Sequence, residues 1–258
     1  MLNNTINKMG FLDRIFSRKE ELLPPASLSV LKNDIHSHLI PGIDDGSQTM
    51  EDSIDLLRNF QNLGFEKVIT TPHVMSDYYC NTPNTILGGL DEVKKVMKDE
   101  GLSIMIEAAA EYNVEPNFDE IIKNNDVLTF GKEKYVLIEL SFFNEPVKLN
   151  ETIWELYNKG YSPVLAHVER YVYWHKEADK IEEMINRGVK LQLNIGSLTN
   201  AYGPEVRTRA EQLVDQGVID FVGSDCHHMK HIEMIDYARR LPKFHKLIQQ
   251  KQILNSTL

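Results

Sequence analysis

The chain has 258 residues, 42% of them hydrophobic and 26% charged, a balance that lets one ordinary globular domain bury a substantial core. Its formal net charge of -10 offers no broad positive field to a phosphate backbone, which sets nucleic acids aside as partners. Cys80 and Cys226 are too few for a disulfide framework or a thiolate metal site, and no run approaches the roughly 20 apolar residues that cross a bilayer, so a protein of the reducing cytoplasm is expected rather than an integral membrane protein.

Residues 1 to 30 are unlike the rest: an amphipathic piece around Met9 to Phe16, a charged run Arg18 to Glu21, then Leu22-Leu23-Pro24-Pro25. They read as a flexible N-terminal arm ahead of a single domain over 31 to 258. From Leu31 onward short β-rich runs alternate with longer amphipathic ones, the pattern of a parallel sheet. The predicted strands are Asn33 to His38, Lys67 to Pro72, Ser103 to Glu111, Tyr135 to Leu140, Ser162 to His167, Lys190 to Ile195 and Asp220 to Asp225. The predicted helices are Thr49 to Leu63, Pro83 to Glu100, Asn150 to Lys159, Lys176 to Arg187, Pro204 to Gln216 and a terminal pair after Met229. Several end at a glycine followed by an apolar strand, as at Leu63-Gly64-Phe65 and Gln216-Gly217-Val218. Seven β/α units without a dinucleotide fingerprint predict an α/β barrel, a distorted relative of the eight-stranded architecture, with an open doubly wound sheet as the alternative.

Both architectures place catalytic side chains at the carboxyl ends of strands, and six of the seven ends carry residues that ligate metals. The first ends His36-Ser37-His38, where positions i and i+2 of an extended chain share a face. The tight loop Pro41-Gly42-Ile43-Asp44-Asp45-Gly46 follows, and Asp-Asp-Gly is by itself an ordinary turn signal. The second ends Thr71-Pro72-His73, the third at Glu111, and the fourth carries Glu139 inside the apolar run Val136-Leu137-Ile138-Glu139-Leu140. A carboxylate there is costly unless a cation or strong hydrogen bonds compensate it. The fifth reaches His167 and then Glu169-Arg170, and the seventh reaches Asp225-Cys226-His227-His228. Each motif alone has an ordinary explanation, but their coincidence at one end of the fold points to a metal cluster.

Nine candidate ligands (His36, His38, Asp45, His73, Glu111, Glu139, His167, Asp225 and His227) exceed the four of a tetrahedral zinc site and imply two or three ions. Imidazole and carboxylate without thiolate suit manganese, iron or zinc. His175, His228, His231 and His245 read as surface residues, with His228 and His231 placed to reach the second layer of the site or its substrate. A cysteine phosphatase needs Cys-x5-Arg, but Ile86 stands six residues after Cys80 and Ile232 six after Cys226.

The combination Asp34-Ile35-His36-Ser37-His38, Pro41 to Gly46, Thr71-Pro72-His73, Ala166-His167-Val168-Glu169-Arg170 and Ser224-Asp225-Cys226-His227 resembles the polymerase-and-histidinol-phosphatase (PHP) superfamily, and within it the bacterial tyrosine phosphatases associated with capsule and exopolysaccharide synthesis. The resemblance spans about Leu31 to Arg240. It implies a distorted (βα)7 barrel with three metals: His36, His38, Glu111 and Asp225 on the first, Glu139 and His167 with a bridging Glu111 on the second, and Asp45, His73 and His227 on the third. It gives catalytic roles to Arg170, His227 and Asp45, and a phosphate contact to Arg170. Val168 replaces the usual proline, Cys226-His227-His228 replaces Ala-His-Asn, and a second arginine is missing, with Lys230 or His231 as its substitute. The implied cofactors are divalent ions, manganese foremost, and the implied substrate is a phosphotyrosine-bearing protein, the tail of a bacterial tyrosine kinase. Histidinol phosphate or another small phosphomonoester is the runner-up, a catalytically silent scaffold is less favoured, and an oligomer is compatible with the sequence.

Overall fold

A computed structural model describes residues 20–177 and 179–258, so the amphipathic piece expected at Met9 to Phe16 lies outside the described residues. Of the expected arm, the described stretch from Leu23 to Leu28 is docked. Leu23 and Ala26 donate backbone N–H groups to the carbonyls of Arg240 and Arg239, and Leu28 is fully buried.

Among the described residues nine short strands occupy seven barrel positions: β1 (Asn33–Asp34), β2 (Lys67–Thr70), β3 (His73–Val74), β4 (Met105–Ala108), β5 (Glu111–Asn113), β6 (Tyr135–Glu139), β7 (Ser162–Leu165), β8 (Lys190–Asn194) and β9 (Phe221–Gly223). All ladders are parallel, in the orders β1-β2-β4 and β3-β5-β6-β7-β8-β9. The second predicted strand stops at Thr70 and the third breaks at Ala109-Ala110, and the short strands that follow these points, β3 and β5, join a different sheet. Pro72 supplies no N–H to a ladder, which explains the first break. The ring closes between its first and last members through the parallel bridge Ser37↔Cys226, with Asp225 N–H donating to the His36 carbonyl and His38 N–H to that of Cys226.

The surrounding helices are α1 (Met50–Leu63), α2 (Pro83–Asp99), α3 (Pro116–Asn124), α4 (Leu149–Asn158), α5 (Asp179–Asn186), α6 (Pro204–Gln216), α7 (Met229–Ala238) and α8 (Pro242–Ile248). A reciprocal Thr49–Asp52 capping box starts α1, and Gly64, at φ 101°, ends it in the left-handed conformation that glycine adopts without a Cβ penalty. Helix α3 is absent from the expected elements; its signal is Pro116 at the first turn with Phe118 and Ile122 four apart on the buried face.

Alternation along the strands separates two apolar layers. Val68, Val136, Ile138, Leu165 and Val222 pack outward against the helices in the main core. Their neighbours Ile69, Leu137, Val164 and Phe221 join Ile35, Ala109 and Ala166 in a smaller cluster that fills the barrel interior. Glu139 follows Leu137 by two residues, as Glu111 follows Ala109, so both carboxylates stand on the interior face at the mouth. On β8 the interior positions between Leu191 and Leu193 and beyond are taken by Gln192 and Asn194, both fully buried. At the opposite end Asn255, also fully buried, bonds through its side chain to the backbone of Asn33 and Val222, tying β1 to β9.

Candidate metal centre and phosphate site

The mouth of the barrel gathers all nine expected ligands. His36, His38, Glu111, Glu139, His167 and Asp225 are buried, His73 and His227 are partly covered, and Asp45 is exposed. His36 Nε2 lies 3.1 Å from Glu111 Oε2 and 3.4 Å from Asp225 Oδ1. His38 Nε2 lies 3.5 and 3.6 Å from the same two oxygens. The other oxygen of Glu111 faces His167 Nε2 at 3.0 Å, and Glu139 Oε1 is 3.4 Å from that nitrogen. His73 Nδ1 is 3.2 Å from Glu111 and 3.7 Å from Glu139, while its Nε2 is 3.5 Å from Asp45, which in turn is 3.4 Å from His227 Nε2. Glu111 therefore stands at the centre, one oxygen toward each half of the cluster.

Local backbone geometry aims these groups. His167 at φ 31° and Asp225 at φ 50° are non-glycine residues in the left-handed region, a conformation costing on the order of 1–3 kcal/mol that clusters at functional sites. Each turns its side chain inward just as its strand ends. Gly46 lies against His38 so closely that a Cβ there would collide with the His38 carbonyl and Cβ, and this approach brings Asp44 under the imidazole. Asp44 Oδ2 accepts the His38 Nδ1–H at 2.8 Å and the His73 backbone N–H at 3.1 Å. Burial would raise the Asp44 carboxyl, but the His38 charge and hydrogen bond hold it at about 2. Burial likewise opposes ionisation of Glu111 and Asp225, yet His36 above all keeps both well below the usual carboxylate range.

Sequence reasoning passed over Gln192 and Asn194. Gln192 Oε1 accepts the His167 backbone N–H at 2.8 Å and lies 3.0 Å from His36 Nδ1, and its Nε2 donates to Asn194 Oδ1 at 2.7 Å. Asn194 Nδ2 donates to Asp225 Oδ2 at 2.7 Å. Their signal was the break in apolar character of Leu191-Gln192-Leu193-Asn194 on the one strand without a ligand.

Arg170 closes a short helical turn, Val168–Arg170, and reaches back over the cluster. Its Nη1 donates to Asp225 Oδ2 at 3.0 Å, and its Cζ lies 4.5 Å from the Phe142 ring centroid and 4.6 Å from that of Tyr202. Burial disfavours the guanidinium charge, but Asp225 and other anionic neighbours raise its pKa above the ordinary value. Of the residues expected to replace the family's second arginine, His231 lines the cavity, whereas Lys230 is exposed on the first turn of α7 and is not part of the lining. Burial, with His228 and His227 nearby, lowers His231 to about 4, and its Nδ1 accepts the His227 backbone N–H at 3.0 Å. His228 also lines the cavity.

The donor set fits divalent ions. Donor atoms bound tetrahedrally at roughly 2.1 Å stand about 3.4 Å apart, and the contacts within the cluster run from 3.0 to 3.6 Å around Glu111 and Asp225. Four groups of three or four residues bring one donor atom each within 4.8 Å: His38, Asp45, His73 and His227; His36, Glu111 and His167; His36, His38 and Asp225; His73, Glu111 and Glu139. The third-metal set of the resemblance is contained whole in the first group, while Glu111 and His36 each recur in two groups.

The chain is 29% identical over 197 residues to tyrosine-protein phosphatase YwqE of Bacillus subtilis, covering 76% of this chain and 78% of that protein. It is 28% identical over 194 residues to the putative tyrosine-protein phosphatase CapC of Staphylococcus aureus, covering 75% and 76%. Among solved structures it superposes with TM-score 0.74 and 26% identity, over 87% of this chain and 90% of the other, on one from a study of YwqE from Bacillus subtilis and CpsB from Streptococcus pneumoniae described as unique metal-dependent tyrosine phosphatases. The family model for capsular polysaccharide synthesis, CpsB/CapC, matches residues 32–251, and the chain belongs to that family.

Proposed function

We propose that the protein is a metal-dependent protein-tyrosine phosphatase whose nine clustered ligands hold two or three divalent ions, manganese foremost. The observation that carries this reading is the central Glu111, fully buried, with its two oxygens turned to different imidazole groups. An uncompensated carboxylate there would be costly, and with its two oxygens turned to different imidazoles Glu111 would be able to hold ions on both sides. His36, His38, Glu111 and Asp225 would hold one ion, Glu139 and His167 with Glu111 a second, and Asp45, His73 and His227 a third. When bound, such ions activate water and neutralise charge on phosphoryl oxygens.

The chain's own residues bind and orient the substrate. Arg170 keeps one N–H on Asp225 and has four further donors to offer phosphoryl oxygens, a planar fork that an ammonium cannot reproduce. The rings on both sides of it limit its rotation, so little ordering remains to be done when substrate arrives. His227 and Asp45, at the more exposed edge of the cluster, are placed to meet the leaving group. Neither cysteine supports thiol chemistry at this site: Cys226 is buried and its thiol is pushed well above the ordinary range by burial, with Asp34 and Asp225 adding to the effect, and the exposed Cys80 is not part of the cavity lining.

The substrate is taken to be a phosphotyrosine-bearing protein of the cytoplasm, the tail of a bacterial tyrosine kinase acting in capsule or exopolysaccharide synthesis. The names of the relatives and the family resemblance support this choice, and no described helix is long and apolar enough to cross a membrane. The test is elemental analysis with turnover of a phosphotyrosine peptide and of histidinol phosphate, before and after chelation. Two or more ions per chain and loss of peptide turnover on chelation are expected. Glu111→Ala and Glu139→Ala should lose ions and activity together, and full activity in ion-free protein would refute the proposal.

A further inference from the structure

The cavity above the ligand cluster has a volume of about 290 Å³, and nearly every side chain that lines it carries a polar atom. Phe142 is the one lining side chain without a polar atom. It lies three residues beyond Glu139, on the connection that follows β6, and remains 42% exposed. Its covered side packs on the Arg170 guanidinium, on the His167 ring at 5.5 Å between centroids and on the Tyr171 ring at 6.0 Å. The rest of the ring faces outward. Tyr202, on the other side of Arg170, is less open to solvent. Because Phe142 packs on the same guanidinium and lines the same cavity, the ester substituent of a phosphoryl group held by Arg170 would come within reach of its ring.

An aryl substituent fits that position better than an alkyl one. Aromatic rings gain from offset or edge contact at centroid distances of 4.5 to 7 Å, beyond the area they bury. A seryl or threonyl phosphate places no ring there. Building on the phosphatase reading above, we propose that Phe142 is the specificity-determining residue of the site, its outward face receiving the phenyl ring of phosphotyrosine while Arg170 holds the phosphoryl group. Discrimination between aryl and alkyl phosphomonoesters is thus made at the mouth, by ring contact, rather than at the ions, which meet the same phosphoryl group in both.

The alternative is that Phe142 merely supports Arg170, and this would affect every phosphate alike. Two measurements on the metal-loaded protein separate the cases. Titration calorimetry compares phenylphosphonate with methylphosphonate, and steady-state kinetics compares phosphotyrosine and phosphoserine peptides of the same sequence. For Phe142→Ala the ratio of the two phosphonate dissociation constants should shift about tenfold against the phenyl ligand. The ratio of kcat/KM values should move with it, mainly through KM, and Phe142→Trp should restore most of the preference. Using ratios between variant and wild type cancels the intrinsic leaving-group advantage of a phenol. Equal weakening of both ligands in Phe142→Ala overturns the proposal, as does a wild type that binds the phenyl ligand no more tightly than the methyl. Wild-type protein without any phosphotyrosine turnover would instead bring down the parent reading, and this one with it. Phe142 is half open to solvent, so both variants should fold, which thermal unfolding and metal content verify.

Discussion

Gln192 Oε1 lies 3.0 Å from His36 Nδ1, although 156 residues separate the two. With that nitrogen donating, His36 would be free to give up its Nε2 proton when an ion takes the proton's place between the imidazole and the facing oxygens of Glu111 and Asp225. The same glutamine oxygen accepts the His167 backbone N–H, so one side chain fixes two of the expected ligands. Gln192→Leu keeps the volume and removes both contacts. Metal affinity should fall roughly 10-fold to 100-fold, the usual effect of losing an outer partner of a ligand. Competition with a chelator of known affinity measures this, and an unchanged affinity would show that Gln192 is only a buried hydrogen-bonding residue.

Arg170 separates phosphate binding from ion binding. Arg170→Ala should fold and retain its ions while turnover of a phosphotyrosine peptide falls roughly 100-fold to 1,000-fold, or about 3–4 kcal/mol. Arg170→Lys should recover only part, because the ammonium lacks the two-donor fork. Turnover, metal content and melting temperature of the three proteins decide the matter. An alanine variant within a few-fold of wild type would mean that the Asp225 contact, not phosphate, accounts for the residue.

Gly46 tests the loop that carries Asp44 and Asp45. A Cβ there would meet the His38 backbone, and backbone cannot rotate out of the way. Gly46→Ala should destabilise the protein by about 1–3 kcal/mol, as overpacking does, and lower the bound-metal count by pulling Asp45 and the Asp44 buttress away from His38 and His73. Denaturant unfolding together with elemental analysis provides the readout. Unchanged values for both would show that the loop can relocate without cost.

Asn255 lies far from the chemistry and should affect stability alone. Its side chain accepts from Val222 N–H and donates to the carbonyls of Asn33 and Val222, all buried. Asn255→Ala strands those groups and should cost about 2–4 kcal/mol, with ions per chain and peptide turnover near wild type at low temperature. A large loss of turnover in folded protein would contradict this purely structural assignment.

Most of the candidate ligands were legible in the sequence because they are titratable residues at or near the ends of apolar runs, and strand ends map to one rim of a barrel; Asp45, in a loop that reads as an ordinary turn, was not legible on its own. Glu139 within Val136 to Leu140 is the plainest case, and the structure buries it. Pro72 marks the end of the second strand, but neither it nor the run Ala108-Ala109-Ala110 carries any sign that the chain changes sheet partner there. Gln192, Asn194 and Asn255 escaped for a related reason: an amide side chain reads the same whether it faces solvent or a buried imidazole. Phe142 sits in a connection with no periodicity at all. Its proximity to Arg170 arises only from the folded ring.

The closing bridge Ser37↔Cys226 places the seam of the barrel within the ligand cluster. His36 and His38 enter at the beginning of the domain, while Asp225 and His227 enter near its end. During synthesis, nearly two hundred residues must leave the ribosome before the two sides of the site can meet. A chain cut short before Asp225 retains most of its imidazoles and carboxylates yet lacks the edge against which the first strand closes. Ion capture by the whole cluster would then require both sides of the seam to be present, and ions held there would clasp an early strand of the domain to a late one.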